Sequence, residues 1–410
     1  MKSKLKYILL IFLVILGIQT TSLATEININ SQAAILVEVS TGRIIYEKNS
    51  TKQMYPASTT KIMTAILVIE NCDLTEIVTV KESALSNIPT GYVTCNLQIG
   101  EEISINDLLY ALMVPSANDA AYVLAEHVGG SVEEFSNMMN NKAEELGCMS
   151  THFVNPNGIH SNSHYTTAYD LYLIASYAMK NETFKNLVTT TEYTLPATNK
   201  YPTDDRILKT TNDLINPNRN NYYKNAIGIK TGYTSQAGNC LVAEASRDGL
   251  EFISVILNGD KNNSSIRYTD TIKLFDYAYD NFTLTKIIEK DSIVNTIEIE
   301  NATKETKSLD LIIDESITVI NNKSIDMNNV IPEISLNENL EAPISARTVI
   351  GTIKYKVDDI EYSANLLAKN DVIEKNYTYI YLLASGIILL LISNMMIKRS
   401  KKTRKKLRRL

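Results

Sequence analysis

CLVAEASRDGLEFISVILNG, residues 240–259, is the stretch that decides the fold. Two apolar, β-branched runs, CLVAEAS and LEFISVILNG, flank Arg247-Asp248-Gly249. Asp-Gly between such runs is a strong signal for a tight turn joining two antiparallel strands. A second hairpin is expected in QAAILVEVSTGRIIYEK, residues 32–48: Ala33 to Val39 run out, Ser40-Thr41-Gly42 turns, and Ile44 to Tyr46 returns. Between the two hairpins the pattern is helical. Thr59–Glu70 is apolar on nearly every side, which predicts a buried helix. Ile105–Met113 and Asp119–His127 are two further helices broken apart at Pro115, and Ala168–Met179 is another. A helix at Thr269–Tyr279 closes the region. Strands at both ends with helices between them predict an α+β domain over residues 25–283, one antiparallel sheet packed by helices.

Outward from this region the texture changes. Residues 284–376 hold a single glycine, Gly351, and short alternating runs: SIVNTIEIE, LDLIID, ITVIN, TVIGTIKYKV and EYSANLLA. They predict a small all-β module without histidine, cysteine or any constellation of chemistry, read as a pedestal. Then Tyr377–Ile397 runs for 21 residues without a charge, long enough to cross a bilayer, with Tyr377, Tyr379 and Tyr381 at its interfacial start. The tail 398–410, KRSKKTRKKLRRL, has nine Lys or Arg in thirteen residues and is expected to be cytoplasmic. At the other end, Lys2, Lys4 and Lys6 precede an apolar run from Tyr7 to Ile18 and the small-residue step Ser22-Leu23-Ala24. That is a signal peptide, residues 1–24, cut after Ala24. The chain is therefore expected in the cell membrane, single-pass, with its bulk on the extracytoplasmic face.

The two ends hold twelve of the 40 lysines and arginines and none of the 46 acids, so the body carries 28 basic against 46 acidic residues. Bulk charge of that sign excludes nucleic acid as the expected partner. Cys72, Cys95, Cys148 and Cys240 lack metal-like spacing; four thiols allow three pairings, and free thiols are an equal expectation.

The chemistry lies in three short steps. In PASTTK, residues 56–61, Ser58 and Lys61 stand three apart, on one face of a helical turn. A helix start favours an alkoxide forming at the serine. The lysine can take the serine proton only when neutral, which burial and a second nearby cation promote. Alone the spacing is weak: Ser3 and Lys6 repeat it, and a capping serine before a surface lysine explains it equally. In VPSANDAA, Ser116 and Asn118 form a Ser-x-Asn step, in which a hydroxyl could relay a proton and an amide could hold a substrate amide. Ser335-Leu336-Asn337 and Ser363-Ala364-Asn365 match that step in the β module. In GIKTGYTSQAGN, residues 228–239, Lys230-Thr231-Gly232 is the chain's only Lys-Thr-Gly and precedes the hairpin strand. Lys230 and Gly232 are expected on one face and Thr231 on the other. Gly232 would admit a substrate backbone, and Lys230 would supply the second cation.

In this order, 58 and then 114 residues apart, the three steps are the signature of penicillin-interacting serine enzymes. The chain resembles the D-alanyl-D-alanine carboxypeptidases, low-molecular-mass penicillin-binding proteins of serine peptidase family S11. The resemblance takes in the signal peptide, PASTTK, PSANDAA, GIKTGYT, THFVNPNGIHSNSHYTTAYDL at 151–171, and the β module with Leu340 to Tyr355. It implies a serine β-lactamase/transpeptidase-like catalytic domain. It further implies Ser58 as nucleophile, Lys61 as its base, and Ser116 with Asn118 in proton transfer to the departing D-alanine. Lys230, Thr231 and Gly232 would dock the substrate terminus. The N–H groups of Ser58 and Tyr233 would form the oxyanion hole, and Arg267, in SSIRYTDTIKLF, would bind the terminal carboxylate. Peptidoglycan stem peptides are the implied substrate, β-lactams the implied covalent inhibitors, and no metal or organic cofactor is implied.

Two departures stand out. Many relatives carry Asn-Pro-His-Gly where this chain has Asn155-Pro156-Asn157-Gly158, so any help from a histidine there is absent; His152, His160 and His164 are expected to be structural. The family often anchors through an amphipathic helix, whereas this chain has a full apolar span. A class A-like β-lactamase shares the three motifs but needs a glutamate between the second and third, and 151–171 has none. A D,D-endopeptidase would use the same site. A non-catalytic wall or β-lactam sensor is disfavoured by a thirteen-residue tail.

Overall fold

A computed structural model of the chain describes residues 27–86 and 88–407. The expected signal peptide, residues 1–24, lies outside the described residues. The chain divides into two compact units that meet in sequence at Asp280 and Asn281.

Among the described residues the first unit has nine strands: β1 (Ala33–Glu38), β2 (Ile44–Lys48), β3 (Ile77–Thr79), β4 (Glu102–Ser104), β5 (Glu192–Leu195), β6 (Arg206–Lys209), β7 (Ala226–Thr234), β8 (Gly238–Arg247) and β9 (Leu250–Gly259). Five of them form one antiparallel sheet in the order β2-β1-β9-β8-β7. The opening stretch is its centre. β8 and β9 pair with Val242 opposite Val255 and Ala245 opposite Phe252, and Arg247 meets Leu250 across the turn. Asp248 and Gly249 both take left-handed φ, 55° and 82°, the turn whose twist suits a two-residue hairpin.

Both hairpins stand where the sequence places them, and the helices lie close to expectation at Lys61–Asn71, Ile105–Met113, Asn118–Gly129, Ala168–Ala178 and Ile266–Asn281. Further helices are Glu82–Ser86, Val132–Glu145 and Glu182–Thr189. The ribbons β3–β4 and β5–β6 were not expected; strands of three or four residues are too short to show a period.

One sheet face, with Ala33, Ile35, Val242, Ile253 and Val255, shares a core with the helix Lys61–Asn71. Every residue of that helix from Lys61 to Val68 is buried. Each fully buried Ile or Leu contributes about 1.5–3 kcal/mol relative to exposure. Such packing holds the first turn of this helix, and the residues just before it, in one place against β7.

The second unit contains β10 (Phe282–Ile288), β11 (Ile293–Glu298), β12 (Ser308–Ile313), β13 (Ile317–Asn322), β14 (Glu333–Leu336), β15 (Val349–Val357) and β16 (Ile360–Ala368). They form a five-stranded sheet, β11-β12-β16-β15-β14, and the pair β10-β13. Leu309, Leu311, Val319, Ile353 and Leu366 lie in its own core. A final helix, Thr378–Leu407, includes a stretch, Thr378–Lys402, long and apolar enough to cross a membrane.

Candidate active site

Ser58 does not sit on the α-helix itself. A 3-10 turn, Ala57–Thr60, comes first, and the α-helix begins at Lys61. Neither helix start has a side-chain cap, so Ser58 is not an N-cap serine. The turn is held from several sides. Thr59 Oγ1 donates to the Pro56 carbonyl at 2.7 Å. His164 receives the Val154 N–H at Nδ1, which leaves its proton on Nε2 to donate to Thr60 Oγ1 at 2.9 Å. Burial pushes His164 down to about 3, so it is neutral and structural. His152 Nδ1 meets the Ser163 carbonyl, and His160 packs edge-on against Tyr55. His164 and His152 thus tie the loop by hydrogen bonds, while His160 Nδ1 is buried with no partner among the described residues.

The loop delivers its backbone to the site. Lys61 Nζ lies 3.1 Å from Ser58 Oγ, 2.9 Å from Asn118 Oδ1 and 3.0 Å from the Asn157 carbonyl. The Asn157 carbonyl went unnoticed in the sequence, where attention falls on side chains. It explains how the loop contributes without a histidine. The neighbouring Gly158 has φ +83°, and a Cβ there would lie 1.8 Å from the Ala57 carbonyl oxygen.

Asn118 is the first residue of its helix and donates through Nδ2 to the Val93 carbonyl at 2.9 Å, which turns Oδ1 toward Lys61. Asp119, next to it, was also missed. Its buried carboxylate accepts the N–H groups of Cys95 and Leu97, pinning the loop that carries Val93. An acid in the helix's first turn, directly after Asn118, was the available signal. Ser116 holds a left-handed φ of 70°, and its Oγ is buried with no partner among the described residues.

Lys230, Thr231, Gly232 and Tyr233 lie on β7, the edge strand. Thr231 and Gly232 both line the cleft, and the regular pairing of β7 with β8 runs unbroken through them, while Lys230 is buried with its amine 3.3 Å from the Thr231 carbonyl. Thr231 Oγ1 pairs with Thr211 Oγ1 at 2.7 Å, a partner with no sequence signal. A Cβ on Gly232 would crowd the Ser58 nitrogen at 3.0 Å. Arg267, second in its helix, donates from Nη1 to the Gly232 carbonyl at 3.1 Å, and its Nε has no partner among the described residues.

The cleft has a volume of about 430 Å³. Ser58, Ser116, Asn118, Thr231, Gly232, Tyr233 and Arg267 line it, with Tyr92 and Ile159 on its rim. Lys61 and Lys230 lie beneath. Burial first, and the Lys230 ammonium second, hold Lys61 well below the ordinary amine range, while Asp119 opposes them. Burial and Arg267 push Lys230 itself down to about 7. The neutralising cation foreseen for Lys61 is thus the smaller cause, and burial the larger.

This geometry constrains the proton. An ammonium has three N–H groups, and the three neighbours of Lys61 accept all three. A neutral amine has two and a lone pair. Two of its neighbours are carbonyl oxygens and have no proton to give. The Ser58 hydroxyl has one. Deprotonated Lys61 therefore receives the Ser58 O–H and no other. All four cysteines are free thiols, three of them buried.

Comparison with known proteins identifies the family. Residues 19–261 match the family described as D-alanyl-D-alanine carboxypeptidase, peptidase S11, and residues 282–374 match the penicillin-binding protein 5 C-terminal domain. The D-alanyl-D-alanine carboxypeptidase DacF of Bacillus subtilis is 32% identical over 362 residues, covering 87% of this chain and 88% of that protein. Penicillin binding protein 5 from Haemophilus influenzae superposes with a TM-score of 0.67 at 29% identity, over 85% of this chain and 99% of that one. The Streptomyces K15 DD-transpeptidase does so with a TM-score of 0.57 at 34% identity, over 62% and 99%. With the family match spanning most of the chain and a relative this similar along nearly its whole length, the chain belongs to the D-alanyl-D-alanine carboxypeptidase family, peptidase S11.

Proposed function

We propose that the chain is a serine D-Ala-D-Ala carboxypeptidase that removes the terminal D-alanine from peptidoglycan stem pentapeptides. The observation that carries this reading is the Lys61 amine 3.1 Å from Ser58 Oγ, beneath a cleft whose one guanidinium belongs to Arg267. Neutral Lys61 takes the Ser58 proton as Oγ attacks the carbonyl of the last peptide bond. The N–H groups of Ser58 and Tyr233 receive the oxyanion. Ser116 passes a proton to the departing D-alanine nitrogen, and Asn118 steadies Lys61 and the substrate amide. Lys230, Thr231 and Gly232 form the strand that docks the substrate's terminal region, and Arg267 receives the terminal carboxylate. Water then hydrolyses the acyl-enzyme and releases the tetrapeptide. β-Lactams acylate Ser58, because their strained amide imitates the same peptide end.

The tether fits a wall enzyme. A cleaved leader at 1–24, a catalytic domain over 25–283, an all-β pedestal over 284–376, a span at 377–397 and a basic cytoplasmic tail at 398–410 put the site on the extracytoplasmic face of the cell membrane. Labelled penicillin is expected to attach covalently, and Ser58→Ala to abolish the label. Released D-alanine from a pentapeptide is the activity readout, and crosslinked dimers as alternative substrate separate a D,D-endopeptidase. Labelling that survives in Ser58→Ala sinks the assignment.

A further inference from the structure

The catalytic cleft has a neighbour. Two tyrosines, Tyr55 and Tyr165, and four carboxamides, Gln53, Asn162, Gln236 and Asn258, line a second hollow of about 260 Å³. Its lining contains no Asp, Glu, Lys, Arg or His. An ionised ligand would find no counter-charge there.

Two of the amides are engaged only through their oxygens. Gln236 Oε1 accepts from Ser235 Oγ at 2.8 Å, and Asn162 Oδ1 lies 3.5 Å from the Tyr55 hydroxyl. The amide nitrogens of Gln236 and Asn162 have no hydrogen-bond partner among the described residues. A carboxamide presents a donor and an acceptor side by side, which suits vicinal hydroxyls or another amide. A tyrosine ring offers a flat apolar body with a polar tip. Together they match a neutral sugar that bears an amide.

The hollow shares its chain segments with the cleft. Tyr55 comes three residues before Ser58. Ser235 lines the cleft and Gln236 the hollow; Ile159 lines the cleft and Asn162 the hollow. The same two chain segments thus line both spaces, one to three residues apart in sequence. In a stem pentapeptide three residues separate the terminal D-Ala-D-Ala from the sugar, about 10 Å of extended chain. The sugar acid's carboxyl is used up in the amide to the peptide, so that end is neutral.

We infer that this hollow binds an N-acetylhexosamine of the glycan strand from which the stem peptide hangs. The link to substrate rests on the carboxypeptidase reading; the sugar-binding itself does not. The test has two arms on the full chain. Saturation-transfer NMR with di-N-acetylchitobiose, run on wild type, Asn162→Ala and Gln236→Ala, reads sugar binding directly. The kcat/KM for a free pentapeptide against a disaccharide-pentapeptide reads its use. Expected are transfer to the N-acetyl methyl protons in wild type, reduced at least threefold in each variant, and a disaccharide preference of about tenfold, equivalent to one well-made subsite. The same variants should leave free-pentapeptide turnover unchanged and lose the preference. No transfer in wild type, transfer undiminished in both variants, or equal kcat/KM for the two substrates overturns the proposal. Absence of D-alanine release from either substrate, with sugar transfer still lost in the variants, sinks the peptidase reading and leaves the sugar site standing.

Discussion

Gly158→Ala tests whether the site depends on close backbone packing. The added Cβ would lie 1.8 Å from the Ala57 carbonyl oxygen and 2.3 Å from its carbon. Real Cβ contacts essentially never fall below 3.0 Å, so one backbone must retreat by about 1.2 Å. Both sides are poor at yielding. Ala57 already holds φ +48°, and Gly158 donates its N–H to Asn155 Oδ1 at 2.7 Å. If Ala57 moves, Ser58 moves with it. If Gly158 moves, the Asn157 carbonyl leaves Lys61. A displacement of about 1 Å at reacting groups reduces rate by about 10²-fold, equivalent to about 2.7 kcal/mol of barrier. The assay is the second-order rate of acylation by labelled penicillin, with thermal unfolding followed by circular dichroism on the same samples. Gly147→Ala is the control. Its φ is +81°, and a Cβ there meets nothing within 4 Å, so it carries the conformational penalty of about 1–2 kcal/mol without the collision. Gly147→Ala should lower stability and leave acylation unchanged. Acylation by Gly158→Ala within about threefold of wild type would refute the reasoning, since a 1 Å shift predicts far more.

Replacing Lys230 with Met removes a cation that lowers Lys61, so the acid limb of the penicillin-acylation profile should move to higher pH; an unmoved limb means the two amines do not couple. Asn118→Ala takes one acceptor from Lys61 and releases Val93, and acylation should fall about 10- to 100-fold, the worth of one hydrogen bond to a charged group. A loss under twofold would remove Asn118 from the proton path. Glu244 is buried on β8 with Oε2 lacking a partner among the described residues, and burial lifts its carboxyl from 4.5 to about 7. The folded state therefore binds a proton that the unfolded state has lost. Stability is full below pH 4.5 and declines as pH rises toward 7, by about 3 kcal/mol. Glu244→Gln should flatten that decline, and chemical unfolding at pH 5 and pH 8 measures it.

How much of this was legible depends on the kind of signal. The two hairpins were readable because Asp248-Gly249 and Ser40-Thr41-Gly42 punctuate runs long enough to show their period. β3, β4, β5 and β6 were not, since three or four residues carry no period and their pairing is set by tertiary neighbours. Among the site residues, Ser58, Lys61, Ser116, Asn118, Thr231, Gly232 and Arg267 converge on one cleft or its floor, as their order in the chain leads one to expect. Sequence could not reveal that the third partner of Lys61 is a main-chain oxygen, because every residue owns one. Nor could it rank burial above Lys230 as the cause of the depressed amine. Thr211 was illegible for a simpler reason: a threonine in a polar loop looks the same whether or not it meets another strand.

Main-chain oxygens have one further consequence. The Asn157 carbonyl beneath Lys61 and the Val93 carbonyl behind Asn118 survive any codon change at their own positions. Point mutation can delete neither acceptor; it can only move the segment that carries it. The exposed side chains of the cleft, those of Tyr92, Tyr233 and Ser235, can by contrast change without touching either acceptor. On the proposed reading the wall peptide passes the same rim. A cell selecting for drug exclusion there would be selecting, residue for residue, against its own substrate.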